Sequence, residues 1–315
     1  MKELLSRQAV EQERRTRNQE PGTKNQEPRT RNQEPGTVFF MSTNQPPLGL
    51  VAGKGQFPFL VAEQAKKIHC SVRAVGFKGH TSRELYSLVE EMVWLKIGQL
   101  GKMINWFKKR GVKEVVFAGG INKPKALDLR PDFKAAKILY KVRSKNDNAL
   151  IQAIVQTMEA EGFNVISPIQ FVPGLLAPAG ILTRRQPNKQ EEMDIEFAWP
   201  LAKEIGRLDI GQCIVVKENV VIAVEAIEGT DATIQRAGEL AGEGCTVIKI
   251  LKPEQEEKID QPAIGVNTIQ TMIQANIKCL ALEAGKCLFF DQEESISLAN
   301  RADICIIGFE TRFNH

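Results

Sequence analysis

Leu48-Gly49-Leu50-Val51-Ala52 is an apolar run too short for a helix, and it leads directly into Gly53-Lys54-Gly55-Gln56-Phe57-Pro58 and a stretch with helical spacing over 59–67. A short apolar run bounded by glycines reads as a buried strand, and Pro58 suits the first turn of the helix behind it. A second apolar run, Glu114–Ala118, ends in Gly119-Gly120. Between and after these runs, strands are expected at 71–77 and 163–167, with helices at 99–110, 133–142 and 148–161. Strands alternating with helices predict a mostly parallel sheet covered on both faces. In such a sheet ligands bind at the carboxyl ends of the strands, where both glycine turns would lie.

The same punctuation divides the rest of the chain. Asn-Gln-Glu-Pro recurs at Asn18, Asn25 and Asn32, and its prolines forbid a heptad helix. Residues 1–44 are therefore expected to be a disordered, low-complexity tail, with Met41 a candidate start. Pro173, Gly174, Pro178, Gly180 and Pro187 mark 172–190 as a linker. Beyond it, helices are expected at 191–205, 232–240, 268–276 and 295–301. A hairpin is expected around Glu218-Asn219, and strands at 246–251, 279–283, 287–290 and 303–307. The fold class is α/β. A Rossmann-like nucleotide- or phosphate-binding domain over 45–171 is expected to face a catalytic α/β domain over 191–315 across a substrate cleft.

Composition narrows the chemistry. A net charge of +4 over 315 residues gives no field for nucleic acid. No apolar run approaches the ~20 residues of a membrane span, and a cytoplasmic protein is expected. Six cysteines form no Cys-x-x-Cys pair and read as buried reduced thiols. Three histidines, His69, His80 and His315, do not support a His-rich zinc centre, and no Gly-x-Ser-x-Gly elbow occurs. Acid–base or metal chemistry falls to carboxylates and lysines.

Gly53-x-Gly55 between strand and helix can cradle phosphate on backbone N–H groups, although a tight turn alone would need the same residues. Pro58 replaces the third glycine of the dinucleotide fingerprint, which disfavours a nicotinamide oxidoreductase. Gly119-Gly120 and the nearby Lys123 form a second candidate phosphate contact. Farther on, Val224-Glu225-Ala226-Ile227-Glu228-Gly229-Thr230-Asp231 closes a strand with three acids. Thr230 or Asp231 suits a helix N-cap, and the acids equally suit Mg²⁺. Lys249 and Lys252 leave the next strand, and Asp260 lies on the loop that follows. Acids that hold a hard cation beside lysines that hold phosphate are what phosphoryl hydrolysis requires.

Taken in order, these segments resemble one family. The matching pieces are Leu48–Ala52 with Gly53-x-Gly55-x-x-Pro58, Ala118-Gly119-Gly120, Lys145-x-Asp147-x-Ala149-Leu150 and Leu208-Asp209-Ile210-Gly211-Gln212. Further pieces are Glu225-Ala226-x-Glu228-Gly229-Thr230-Asp231-Ala232, Lys252-Pro253-x-Gln255, Asp260-x-Pro262-x-Ile264-Gly265-x-x-Thr268 and Glu283-Ala284-Gly285. The pattern is similar to that of the metal-dependent UDP-2,3-diacylglucosamine pyrophosphatases of lipid A biosynthesis, the type distinct from calcineurin-like phosphoesterases. Lys123 and Lys258 stand where arginine is expected, and Asn148 where a second aspartate often follows Asp147.

The resemblance implies hydrolysis of UDP-2,3-diacylglucosamine to UMP and 2,3-diacylglucosamine 1-phosphate, with Mg²⁺ or Mn²⁺. It implies Asp260, Asp231 and Glu228 as catalytic acids, with Asp231 and Glu228 as metal ligands. Gly53, Gly55, Gly119, Gly120, Lys123, Asp147, Gln212, Thr230, Lys249 and Lys252 are the expected substrate contacts. The partner is a lipid-linked nucleotide sugar, and the reading admits contact with the inner-membrane surface and a homo-oligomer. The rival reading is a non-catalytic nucleotide-sugar binding protein, which would explain the glycine turns but not the acids and lysines of the second half.

Overall fold

The computed structural model describes residues 46–121, 131–141, 147–253 and 261–310. The tail at 1–44, Lys123, Lys258 and Asp260 lie outside them. The first half is built on strands β1 (Leu48–Ala52), β2 (Val72–Phe77), β3 (Glu91–Leu95), β4 (Glu114–Ala118) and β5 (Asn164–Val165). All pair in parallel, in the order β3-β2-β1-β4-β5. The chain moves outward from β1 through β2 to β3, then returns to β4 on the other side of β1. That reversal is the switch point of a doubly wound sheet, where crevices form outside the strand ends. Both glycine turns sit there.

Helix α1 (Phe57–Lys67) buries Val61, Ala62 and Ala65 on one face of this sheet, against Leu50 and Ala74. Helices α2 (Leu100–Lys108), α3 (Phe133–Lys141) and α4 (Asp147–Ala160) cover the other face. Phe107, Ile104, Met158 and Val75 fill that core. Alternation along β1 explains the split, because Leu50 and Val51 point to opposite faces.

The second half carries a six-stranded sheet, β6-β13-β11-β9-β7-β8. Strands β9 (Thr246–Lys249), β11 (Cys279–Glu283) and β13 (Cys305–Phe309) run parallel. Strands β7 (Cys213–Lys217) and β8 (Val220–Val224) form an antiparallel hairpin on one edge. Its two-residue turn places Glu218 and Asn219 at φ 51° and 60°. Positive φ at both positions matches the right-handed twist of the strands, and asparagine tolerates it well. The expected linker at 172–190 contributes β6 (Gly180–Ile181), an antiparallel edge strand on β13.

Helix α5 (Lys189–Arg207) packs Ile195 and Trp199 on Ile214 and Ile248. It starts at a capping box: the Asn188 side chain accepts from the Glu191 N–H, and the Glu191 carboxylate accepts from the Asn188 N–H. Helices α6 (Thr230–Ala241), α7 (Val266–Gln274) and α8 (Gln292–Arg301) cover the other face, with Ile234, Ile269 and Phe289 buried there.

A short parallel pair joins the halves, β10 (Ala263–Ile264) with β12 (Leu288–Phe289). Leu288 is buried in the same core as Leu50 and Phe57. The Phe57 ring meets that of Phe290 edge-on at 5.6 Å. Among the described residues no helix is long and apolar enough to cross a membrane.

Candidate active site

At the switch point two loops touch through backbone. The Gly53 N–H donates to Ala118 O at 2.8 Å, and the Lys54 N–H donates to Gly120 O at 2.8 Å. A Cβ on Gly53 would lie 2.4 Å from Gly119 O, and one on Gly119 would lie 2.4 Å from Lys54 O. These two glycines are therefore demanded by the approach of the loops themselves. Gly55 differs. It has φ +87°, and a Cβ there would meet nothing within 4 Å. Its backbone faces open space at the entry to α1, where Pro58 has no N–H and the Phe59 N–H already donates to Gln56 O at 3.0 Å. The loop leads to the second half, since the Gln56 side-chain amide donates to Asp291 Oδ2 at 2.8 Å.

In the second half, β8 and β9 end on the edge of the sheet where β7 begins. Lys249, the last residue of β9, lies opposite Cys213 of β7, and the Glu225 N–H donates to Cys213 O. This register brings Gln212, Glu225 and Lys249 together. The Lys249 ammonium donates to the Thr230 hydroxyl at 2.6 Å, and that hydroxyl donates to Glu225 Oε1 at 3.0 Å. The Gln212 N–H donates to Glu225 Oε2 at 3.3 Å. Lys249 is 3% exposed and Glu225 7%. A buried ammonium and a buried carboxylate thus offset one another through one hydroxyl. Gly211 is what lets the Glu225 main chain come this close, because a Cβ there would lie 2.0 Å from the Glu225 backbone oxygen. Gln212 Oε1 is buried, with no hydrogen-bond donor among the described residues. An acceptor left over in this way is open to a water or to a ligand group that donates.

The other predicted residues divide. Asp231 lies in the first turn of α6 and accepts from the Thr268 hydroxyl at 3.1 Å, beside the start of α7. Lys252 pairs with Asp209 at 2.8 Å. Glu228 turns elsewhere: Arg236 pairs with it at 2.7 Å, and the Ala226 N–H donates to it. Its own backbone N–H, and then Arg236, hold its carboxyl below the usual range against a smaller upward push from burial. Asp147 begins α4 in the other half. Lys203 and Glu283, to which no role is assigned above, form a close pair at 2.6 Å. Glu283 also accepts from the Leu251 N–H and so holds the chain leaving β9.

The thiols near the site are inert. Burial pushes the Cys213 thiol far up, and the neighbouring Glu225 adds to it; burial likewise raises Cys287 to about 12. Among the described residues no three acid, His or Cys side chains cluster as a metal cage. Mg²⁺ is commonly held by one or two carboxylates together with substrate phosphates, and Asp231 suits that arrangement better than Glu228 does.

The first half, residues 47–175, matches the family model described as the LpxI N-terminal domain. Residues 178–307 match the LpxI C-terminal domain. The UDP-2,3-diacylglucosamine pyrophosphatase LpxI of Caulobacter vibrioides is 33% identical over 277 residues, covering 84% of this chain and 97% of that protein. Solved structures resemble the chain only distantly. The ADP-bound biotin carboxylase domain of a thermophilic 2-oxoglutarate carboxylase is 12% identical with a TM-score of 0.23, over 54% of this chain and 34% of that one. The ADP complex of the N5-carboxyaminoimidazole ribonucleotide synthetase purK is 10% identical with a TM-score of 0.26, over 64% and 46%. The chain spans well under two thirds of either structure, and likenesses so slight bear on neither fold nor ligand. With both domain models matched in order and a relative of this identity over nearly its full length, the chain belongs to the LpxI family.

Proposed function

We propose that the chain hydrolyses UDP-2,3-diacylglucosamine to UMP and 2,3-diacylglucosamine 1-phosphate, a step of lipid A biosynthesis. The observation that carries this reading is family membership across both halves. The buried Lys249–Thr230–Glu225 relay supports it. A strand-end ammonium held by an internal counter-charge is a fixed positive group, suited to charge that develops on phosphate oxygens. Gly55 and the N-terminus of α1 would take the UDP end. Lys252 would exchange Asp209 for a phosphate oxygen. Asp260, which falls between β9 and β10 in the sequence, is our choice for the group that draws a proton from the attacking water.

Mg²⁺ would neutralise diphosphate charge, with Asp231 as its protein ligand. Contact with the inner-membrane surface is proposed only because the substrate is a lipid. The test is UMP release from UDP-2,3-diacylglucosamine by the purified chain with Mg²⁺. Retention of intact substrate, bound but uncleaved, would favour the non-catalytic binding protein instead.

A further inference from the structure

A partly open apolar slot of about 160 Å³ lies under α3, on the face of the first sheet covered by α2, α3 and α4. It is smaller than the roughly 300 Å³ at which pockets for whole small ligands begin. It therefore suits part of a ligand. Its floor includes Val51 and Phe117, the residues just before Ala52-Gly53 and Ala118-Gly119, and its rim includes Ile121, which follows Gly120. The slot thus opens beside the same strand ends that carry the glycine turns.

The lining has almost no polarity. Gln99 is the one polar side chain among the described lining residues, and its amide oxygen is already occupied, accepting from the Lys96 N–H at 3.0 Å. Among the described residues the wall offers a sugar, a base or a phosphate little beyond the Gln99 amide N–H groups. The wall is also held in place. Asp132 accepts from the Gly101 N–H at 2.7 Å and the Lys102 N–H at 3.2 Å on α2, and from the Ala135 N–H at 3.1 Å on α3. One carboxylate caps both helices, so the gap between them is built into the fold rather than left by loose packing. Leu139 and Ile121 remain 41% and 43% exposed at the rim, so the mouth of the slot is itself apolar.

We propose that this slot receives one acyl chain of the substrate and limits the chain length accepted. The inference rests on the hydrolase reading above, since it takes from it a ligand with a diphosphate at one end and acyl chains at the other. The diphosphate at the glycine turns places the lipid within reach of the rim, and only a hydrocarbon matches a cavity of this size and polarity. The structure makes the slot adjustable at two positions. Ala135 on α3 faces it with a single methyl, so Ala135→Leu shortens it. Ile154 on α4 also lines it, so Ile154→Ala enlarges it.

The experiment compares kcat/KM for UDP-diacylglucosamines with long and with short acyl chains. Ala135→Leu should lower the long-to-short ratio about tenfold, the order expected for one or two misplaced methylenes in a fitted pocket. Ile154→Ala should raise it. Variants that melt as the wild type does and keep the wild-type ratio overturn the proposal. A second measurement uses the unaltered protein and needs no turnover: 2,3-diacylglucosamine 1-phosphate with a photoreactive group at the acyl terminus. Label on peptides carrying Leu139 or Ile154 supports the slot; label confined to the second half overturns it. If the wild type releases no UMP yet the label lands on α3 and α4, the hydrolase reading fails while the acyl site stands.

Discussion

The Lys249 ammonium donates to the Thr230 hydroxyl at 2.6 Å, and that contact ties the end of β9 to the first turn of α6. Because Glu225 accepts from the same hydroxyl, one threonine carries the balance between two buried charges. Lys249→Met leaves the Glu225 carboxylate without its cation, and removing one partner of a buried pair costs about 3–5 kcal/mol. The double variant Lys249→Met/Glu225→Leu should be more stable than Lys249→Met alone. Urea unfolding of both decides it; a double variant that is weaker than the single one would show that the two charges are not coupled.

The glycines at the switch point should separate by role. Gly53→Ala and Gly119→Ala put a Cβ 2.4 Å from a backbone oxygen, so the two loops must part and the melting temperature should fall by several degrees. Gly55→Ala meets no neighbour and bears only the conformational cost of φ +87°, about 1 kcal/mol. Its larger effect should be on KM for the UDP substrate. Thermal melts and steady-state kinetics on the three variants test the division. A Gly55→Ala protein with wild-type KM would remove Gly55 from the site.

Legibility in the sequence followed locality. The glycine turns, the hairpin at Glu218-Asn219 and strand Cys279–Glu283 are signalled by residues adjacent in the chain, and the structure has them where they were expected. Strand β3 escaped notice because Glu91-Met92-Val93-Trp94-Leu95 lies at the sheet edge, half exposed on four of its five residues, and shows little alternation. Strand β6 hid among prolines and glycines that read as linker, and only pairing with the distant β13 makes it a strand. At the candidate site, Glu225 and Glu228 look alike in sequence. Their difference comes from Arg236, one helix face away, and from Lys249, which reaches Glu225 only through the β7–β9 register. No local pattern carries that information.

Glu161 makes the first half acid-sensitive. It pairs with Lys108 on α2 and Lys134 on α3, and the hydrogen bonds from first Lys108 and then Lys134 hold its carboxyl down at about 2. A carboxyl whose folded value lies below its unfolded value of 4.5 contributes stability that is fully present above 4.5 and is lost as pH falls toward 2. Helices α2 and α3 should therefore loosen from α4 in that window. Glu161→Gln should flatten the pH dependence of unfolding between those values, read by Trp106 fluorescence on α2. An unchanged slope in the variant would place the acid sensitivity elsewhere.

Metal dependence should follow the substrate-borne arrangement. Activity should vanish in EDTA and return with Mg²⁺ or Mn²⁺. Asp231→Asn should raise the Mg²⁺ concentration needed for half-maximal activity at least tenfold. Glu228→Gln should shift it much less, because Arg236 already engages that carboxylate. Activation midpoints for the two variants discriminate the acids. Recovery with Zn²⁺ alone, or a larger shift from Glu228→Gln than from Asp231→Asn, would reverse the assignment.

The remaining question is which phosphorus water attacks. Gly55 and the N-terminus of α1 lie in the half that would grip UDP, and Gln56 of that loop touches Asp291 of the other half. Lys249 and Asp231 lie in the second half, to which Asp260 also belongs in sequence. A substrate laid from the glycine turn toward those groups presents them with its sugar-side phosphorus. In-line displacement there makes UMP the leaving group, with the lysine charges meeting the negative charge that develops on it. Hydrolysis in heavy-oxygen water should then label 2,3-diacylglucosamine 1-phosphate and leave UMP unlabelled. Mass spectrometry of both products reads the outcome directly. Label in UMP would mean that water attacks the nucleotide-side phosphorus and that the substrate lies across the two halves in the opposite sense.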